Sequence, residues 1–236
     1  KNMIKGKLIL IPTVIGENTE KQNIPPIIFD TIKKTNIFIV ENIRSARRFI
    51  KKIYPAKDIE KTMFYAYGKH DSIDYEQDLL LHILAGEDVG LISEAGVPSV
   101  ADPGSKIVEY AHNFNIIVTP LVGPSSILLA LMASGMNGQN FAFNGYLPIE
   151  SKERINKIKQ LEKLAHTQKQ TQIFMETPYR NNQLLEVIFK TCRPQSRLCI
   201  ASNITTEKES ILTKTISEWK TIKINTNKQP SIFLLY

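Results

Sequence analysis

The sequence predicts an α/β protein of two domains, the first a mostly parallel, doubly wound sheet and the second a mixed sheet with antiparallel hairpins. Three observations lead there. Short apolar runs of strand length alternate with amphipathic stretches of helical period through residues 1–120, as in strands joined by helical crossovers. After Gly138 the pattern changes and closes on three strand-like runs. A tight Gly123-Pro124 turn marks the change, so 1–120 and 121–236 are read as the two domains.

Taken in order, Lys7 to Pro12 (KLILIP) and Asn36 to Val40 (NIFIV) are short apolar runs that read as buried strands. Between them, Pro25 to Lys34 carries Ile27, Ile28 and Ile32 behind two prolines suited to a helix's first turn. A basic helix is expected over Asn42 to Lys52, a strand over Thr62 to Ala66, and a helix over Ser72 to Leu84 burying Leu79, Leu80, Ile83 and Leu84. Val89 to Ser93 is the next strand, Gly104 to Phe114 a helix and Ile116 to Thr119 a strand. Pro124 to Ser134 is read as a helix packed through Ile127, Leu128, Leu131 and Met132. The second domain is expected to contain a strand at Phe141 to Tyr146 and an amphipathic helix at Lys152 to Leu164. A strand at Thr171 to Met175, a helix at Tyr179 to Phe189, and strands at Arg197 to Asn203, Ser210 to Thr215 and Ser231 to Leu235 complete it.

Composition narrows the class. With 42% hydrophobic and 22% charged residues, the chain of 236 residues has the make-up of a folded globular protein. Runs such as Ile37 to Val40 and Ile127 to Met132 fall far short of the roughly 20 residues a membrane span needs. The opening Lys1 to Gly6 leads into a strand without a signal peptide's apolar region, so a cytoplasmic protein is expected. Cys192 and Cys199 fit neither a CxxC redox pair nor a zinc knuckle and read as buried free thiols. His70, His82, His112 and His166 lack metal-ligand spacing, so no metal is expected.

The formal charge is +7, and its distribution is uneven. Residues 1–150 hold 15 Lys and Arg against 16 Asp and Glu, whereas residues 151–236 hold 15 against 7. The basic excess lies wholly in the second part, which suits a polyanionic partner such as RNA.

Chemistry concentrates in turns that follow strands. Ser93-Glu94-Ala95-Gly96-Val97-Pro98-Ser99-Val100-Ala101-Asp102-Pro103-Gly104 runs from a strand end into a helix, the place where ligands collect in open α/β sheets. It reads either as a ligand loop or as a well-made surface loop. Val122-Gly123-Pro124-Ser125-Ser126 is a second such turn, whose hydroxyls either cap the next helix or meet a ligand. Ile11-Pro12-Thr13-Val14-Ile15-Gly16 is a third. There is no GxGxxG, Walker-type GxxxxGK or GxSxG, so ordinary dinucleotide, P-loop and α/β-hydrolase readings fail.

Together these turns, with Glu41-Asn42-Ile43-Arg44, Phe143-Asn144-Gly145-Tyr146-Leu147-Pro148 and Glu176-Thr177-Pro178-Tyr179-Arg180, resemble the ordered motifs of the tetrapyrrole methylase superfamily. They are most similar to the bacterial branch that methylates a ribose 2′-hydroxyl of small-subunit ribosomal RNA, methyltransferase I. The resemblance implies a homodimeric methyltransferase with S-adenosylmethionine in a cleft between two α/β domains, taking part in ribosomal RNA processing. It implies cofactor contacts from Pro12, Ser93, Glu94, Ala95, Gly96, Val97, Val100, Ala101, Asp102, Ser125 and Ser126. Further contacts are implied from Met175, Glu176, Thr177, Pro230 and Ser231. Five positions depart from the family pattern: Glu94 stands for Asp, Val97 for Thr, Asn42 for Asp, and Ala201-Ser202-Asn203 for Ala-Arg-Glu. The chain stops near its last strand, so the small C-terminal extension of some relatives is not expected.

Methyl transfer from a sulfonium is an in-line displacement that asks the protein to align two atoms and exclude water, with no need of a metal. For a hydroxyl acceptor, Glu41 and Glu176 are the candidate general bases, each at a strand end; helix capping or pairing with Arg44 or Arg180 is the alternative. Arg44, Arg47, Arg48 and Lys51 follow i, i+3, i+4, i+7 spacing, and with Arg180 they are the candidate RNA contacts. Lys152, Arg154, Lys157, Lys159 and Lys163 add charge on the later helix, where a solvated face is the competing reading. Two other functions stay open, methylation of a tetrapyrrole or other small molecule and a non-catalytic RNA-binding relative.

Overall fold

Apolar runs lying side by side make a parallel sheet, and among the described residues the first half of the chain contains five such strands, the inner ones buried and the two at the edges more exposed. In the computed structural model, which describes residues 5–67 and 73–236, β1 (Lys7–Ile11), α1 (Glu20–Asn23), α2 (Pro26–Lys34), β2 (Ile37–Val40), α3 (Ile43–Ile53) and β3 (Met63–Ala66) come first. A π-helical turn, Glu76–Leu80, continues into α4 (Leu81–Leu84), followed by β4 (Val89–Ile92), α5 (Ser105–Asn113) and β5 (Ile117–Pro120). The sheet order is β3-β2-β4-β1-β5, and every pairing is parallel.

The two-residue period of a strand sends alternate side chains to opposite faces, and each face has its own helical cover. Leu8, Ile37, Ile39, Val89 and Leu91 pack with Leu79 and Ile83 and with Ile107 and Ala111 of α5. Ile9, Ile11, Phe38, Val40 and Ile92 pack instead with Ile28 and Ile32 of α2 and Ala46, Phe49 and Ile50 of α3. Among the described residues one cation enters this half's interior. Lys57, 4% exposed, donates from Nζ to the carbonyls of Ile32 at 2.9 Å and Thr35, and to Asn36 Oδ1 at 2.8 Å. It thereby covers the carbonyls that end α2, where a positive charge is favoured; burial lowers its pKa.

The chain divides between Ser125 and Ser126 into two compact units. The second holds α6 (Ser126–Ser134), β6 (Phe141–Tyr146), α7 (Ser151–Gln168), β7 (Thr171–Met175), a 3-10 turn at Pro178–Arg180, α8 (Asn181–Thr191), β8 (Arg197–Ser202), β9 (Ser210–Thr215), α9 (Ile216–Trp219) and β10 (Ser231–Leu235). Its order is β6-β7-β10-β8-β9, parallel at β6 with β7 and antiparallel elsewhere. Phe174, Leu198, Ile200, Phe233 and Leu235 pack with Ile158 and Leu161 of α7, Leu184, Leu185 and Ile188 of α8 and Trp219 of α9. The Trp219 indole donates to the Leu198 carbonyl at 2.8 Å, so its one polar atom is satisfied in the core.

The expected elements are present, most within one or two residues of their anticipated ends. Two four-residue helices, α1 and α9, had not been anticipated, although Thr215 and Glu218 form a reciprocal capping box that is readable in the sequence. Packing of α6 differs from expectation. Ile127, Ala130 and Leu131 are buried while Leu128 is exposed and Met132 is 79% exposed. The helix is apolar around its circumference, so periodicity cannot select its inner face. Leu84 is likewise exposed rather than buried. The expectations placed on residues 1–4, His70 and Ser72 lie outside the described residues. Among the described residues no helix is long and apolar enough to cross a membrane.

Both cysteines are free and buried. Burial pushes the Cys192 thiol up to about 12, with the Glu162 charge adding to it, and raises that of Cys199. Because the Cys192 folded value lies above the ordinary 9.0, its contribution to stability is complete below about pH 9 and is lost as pH rises toward about 12. Ellman's reagent should therefore leave the native protein unlabelled at neutral pH and label two thiols in denaturant. Replacing Cys192 with Ala should flatten the decline in unfolding free energy across that alkaline window.

Candidate functional site

In an all-parallel sheet every strand ends at the same edge. Pro12, Glu41, Tyr67, Ser93 and Leu121 directly follow the five strands of the first unit, and the loops they open are bonded to one another. The Thr13 amide donates to the Gly96 carbonyl at 3.0 Å, and the Ser93 hydroxyl donates to that carbonyl at 3.0 Å. The Glu94 amide donates to Glu41 Oε2 at 3.2 Å, while the Ser45 hydroxyl reaches Glu94 Oε2 at 3.4 Å. Asn42 accepts from the Ser45 amide at 3.0 Å and caps α3, so Asn serves the cap where the family pattern has Asp.

Two glycines show how tightly these loops meet. Gly96 adopts φ +72, and a Cβ there would lie 3.1 Å from Ile15 Cγ2 and 3.1 Å from the Pro124 carbonyl oxygen. A Cβ on Gly123 would lie 2.2 Å from Pro12 Cβ. The bends at Ala95-Gly96 and Gly123-Pro124 therefore converge, together with the turn after β1. This is the crevice position of an open α/β sheet: β1 lies between β4 and β5, and the chain crosses it in passing from one to the other.

The remainder of the loop is held in a strained form. Ser99 and Ala101 have φ of 66 and 59, in the left-handed region that costs a non-glycine residue about 1 kcal/mol or more. Asp102 holds them there, its Oδ1 accepting from the Ser99 amide at 2.8 Å and the Gly104 amide at 2.7 Å. Tyr67 approaches Asp102 Oδ2 at 3.4 Å. Burial raises the Tyr67 pKa, followed by the negative charges of Asp102, Glu41 and Glu94. The strand-end surface of the first unit thus carries negative potential around a neutral phenol. Glu94, Ala95, Val100 and Ala101 are exposed, while Pro12, Ser93 and Gly96 are buried behind them. Val97, Asp102, Ser125 and Ser126 are half-buried.

The other implied contacts share one edge of the second sheet. Met175 ends β7 and pairs with Ile232, and Ser231 pairs with Ser202, so Met175, Glu176, Thr177, Pro230 and Ser231 lie together. The Ser202 and Ser231 hydroxyls are 2.7 Å apart, and the Asn203 amide donates to the Pro230 carbonyl at 2.9 Å.

Glu176 is 4% exposed. Its Oε1 accepts from Arg180 Nε at 3.0 Å and Nη2 at 2.8 Å and from the Thr177 amide at 2.7 Å. Arg154 Nη2 stands 3.7 Å from Oε2, which has no hydrogen bond among the described residues. Arg154, expected on the charged surface of its helix, is 2% exposed and also donates to the carbonyls of Pro148 at 2.7 Å and Ile149 at 3.1 Å. The correction has a physical reason: a buried carboxylate needs compensating charge, and Arg154 and Arg180 supply it from two elements.

The four cations of α3 in the expected i, i+3, i+4, i+7 set are not equivalent. Arg44 and Arg48 are exposed. Arg47 lies over the Phe64 ring at 5.1 Å, and Lys51 Nζ donates to the carbonyls of Pro55 at 2.8 Å and Lys57 at 2.9 Å. Tyr67, Arg154 and Asn181 had not been singled out for the site. Tyr67 was legible as the residue following a strand, whereas burial of Arg154 and Asn181 left no trace in hydrophobic periodicity.

Comparison with known proteins bears on this arrangement. A family model described as tetrapyrrole (corrin/porphyrin) methylases matches residues 23–220. The chain is 32% identical over 213 residues to the ribosomal RNA small subunit methyltransferase I of Bacillus subtilis (strain 168), covering 90% of this chain and 68% of that protein. It is 27% identical over 232 residues to the protein of the same name from Vibrio cholerae, covering 97% and 76%. Among solved structures it is similar in fold to the methyltransferase CobJ, with a TM-score of 0.63 at 17% identity, covering 98% of this chain and 93% of that one. It is also similar to uroporphyrin-III C-methyl transferase from Thermus thermophilus, solved with S-adenyl homocysteine, with a TM-score of 0.55 at 16% identity, covering 98% and 97%.

The close approach at Gly123 has a direct test. Gly123→Ala should cost roughly 1–3 kcal/mol through overpacking against Pro12. Gly138→Ala, where a Cβ meets nothing within 4 Å, should stay within roughly 0.5 kcal/mol, both read by urea unfolding.

Proposed function

Because the chain belongs to the tetrapyrrole (corrin/porphyrin) methylase family, we propose that it is an S-adenosylmethionine-dependent methyltransferase acting on a ribose 2′-hydroxyl of small-subunit ribosomal RNA. The observation that carries this reading is the convergence of the loops after β1, β4 and β5 in the first unit, at Thr13, Gly96 and Pro124. The names of the Bacillus and Vibrio relatives support the acceptor.

The residues fit such a cofactor. A sulfonium nucleoside with an amino-acid tail is recognised by backbone amides and carbonyls, short hydroxyls and negative potential rather than by a metal or a phosphate cradle. The strand-end loops offer these at Ser93 to Asp102, with Glu41, Glu94 and Asp102 supplying the negative potential. Cofactor contacts are assigned to Pro12, to Ser93, Glu94, Ala95, Gly96, Val97, Val100, Ala101 and Asp102, to Ser125 and Ser126, and to Met175, Glu176, Thr177, Pro230 and Ser231. When bound, the cofactor supplies an electrophilic methyl group.

The chain's own work is positioning and proton handling. Glu41 is the proposed acceptor of the hydroxyl proton, since it is only half-buried and its Oε2 is oriented by the Glu94 amide. Glu176 Oε1 is taken up by Arg180 and the Thr177 amide, and the proposed role of Glu176 is to fix the Met175 to Thr177 backbone. Arg180 in turn neutralises Glu176, which leaves Arg44 and Arg48 as the proposed phosphate contacts, with Arg47 supporting them from the Phe64 ring. The cytoplasm is the proposed compartment, and a homodimer the proposed assembly, for which the 79% exposed Met132 on α6 offers apolar surface.

Titration calorimetry with S-adenosylhomocysteine should show saturable binding, and its absence would sink the cofactor reading. Labelled cofactor should transfer methyl to undermethylated small subunits and leave an alkali-resistant linkage at the modified ribose; label appearing only in an added tetrapyrrole points to the small-molecule alternative. Glu41→Gln should lower kcat by about 100-fold or more while S-adenosylhomocysteine affinity holds. The Arg44→Ala/Arg48→Ala variant should weaken RNA binding and shallow its salt dependence by roughly one to two counterions, read by titration at several salt concentrations.

A further inference from the structure

We propose that Asn181 is a positioning residue that holds the 226–231 segment in place for the cofactor; this rests on the assignment of Pro230 and Ser231 as cofactor contacts. Asn181 is 0% exposed at the start of α8. Its Nδ2 donates to two carbonyls far away in sequence, Thr226 at 3.1 Å and Gln229 at 2.7 Å. A carboxamide nitrogen carries two protons and no charge, so it joins two carbonyls in a buried setting without the desolvation cost of a lysine or arginine.

The neighbouring residues act on the same segment. Asn182 Oδ1 accepts from the Thr226 amide at 2.9 Å and hydroxyl at 3.0 Å, and the Pro178 carbonyl accepts from the Lys228 amide at 3.0 Å. Lys228 has φ 61, a left-handed conformation that a non-glycine residue keeps only when its surroundings impose it. On the far side the segment is held by Asn203, whose amide donates to the Pro230 carbonyl at 2.9 Å and whose Nδ2 donates to Gln229 Oε1 at 3.1 Å. The segment is therefore gripped from both sides immediately before β10.

The stretch between β7 and Asn181 carries Glu176 and Arg180, which lock the end of β7. Residues 176–182 thus set both elements of the edge. Glu176 and Arg180 fix Met175 to Thr177, and Asn181 with Asn182 fixes Thr226 to Gln229, which delivers Pro230 and Ser231. The geometry separates this role from simple core filling, because what Asn181 contacts is backbone of the segment that bears the assigned contacts.

The test is steady-state kinetics and amide exchange on Asn181→Ala, with Asn182→Ala as the variant that loosens the same grip from a less buried position. The expected result for Asn181→Ala is a KM for S-adenosylmethionine raised about ten-fold, a kcat within about two-fold, and faster exchange of the 226–231 amides while the β7 and β10 ladder stays protected. Asn182→Ala should show the same pattern at about three-fold, and it carries the test if Asn181→Ala does not fold. An unchanged KM with a lowered melting temperature overturns the inference and leaves a merely structural Asn. Wild-type protein that binds S-adenosylhomocysteine while both variants bind it equally well overturns this inference alone. Wild-type protein that does not bind overturns the cofactor reading and this one with it.

Discussion

The hydrogen bond from the Thr13 amide to the Gly96 carbonyl ties the end of β1 to the loop after β4, and the candidate site of the first unit depends on it. It exists because parallel strands finish on one side, so that turns from distant stretches of chain must share the same small volume. Once β1 lies between β4 and β5, the turns after all three are adjacent. Gly96 and Gly123 then answer a steric demand, since a methyl group at either would strike Pro124, Ile15 or Pro12. The strain at Ser99 and Ala101 follows downstream and is contained by the Asp102 carboxylate.

Charge is arranged differently in each unit. In the first, burial and then the charges of Asp102, Glu41 and Glu94 at the strand ends raise the pKa of the Tyr67 phenol, a setting that favours a cationic ligand. In the second, the buried Glu176 is enclosed by Arg154 and Arg180. Buried pairs of this kind contribute little net stability but are costly to break from one side. What this one does is tie the strand end to the turn after it, since Glu176 Oε1 accepts from both the Thr177 amide and Arg180. Arg154 and Lys57 are both engaged internally with carbonyls and a carboxylate, so neither adds to the positive charge that faces solvent.

Much of the fold was legible because it rests on local rules. Strand runs of four to six residues, each followed by a helical period, predicted the parallel half, and the run of closely spaced strands after residue 190 predicted the antiparallel one. The turn motifs at residues 93–104 and 122–126 were legible for a related reason: Gly and Pro mark where backbone must bend, and strand ends are where ligands collect. The short helix α9 was missed although its Thr215 and Glu218 capping box stands in the sequence, because four residues are too few to display a period.

What the sequence by itself determined is the order and type of the elements and the loops that bear chemistry, since periodicity and turn residues act over a few positions. Tertiary structure alone decided which face of α6 is covered, because a helix apolar on all sides carries no directional signal. It also decided that Arg154 turns inward to a carboxylate 22 positions along the chain, and that Asn181 grips carbonyls 45 and 48 positions away. Such partners are chosen by what the fold brings within hydrogen-bonding distance, and no local rule of propensity or spacing contains that information.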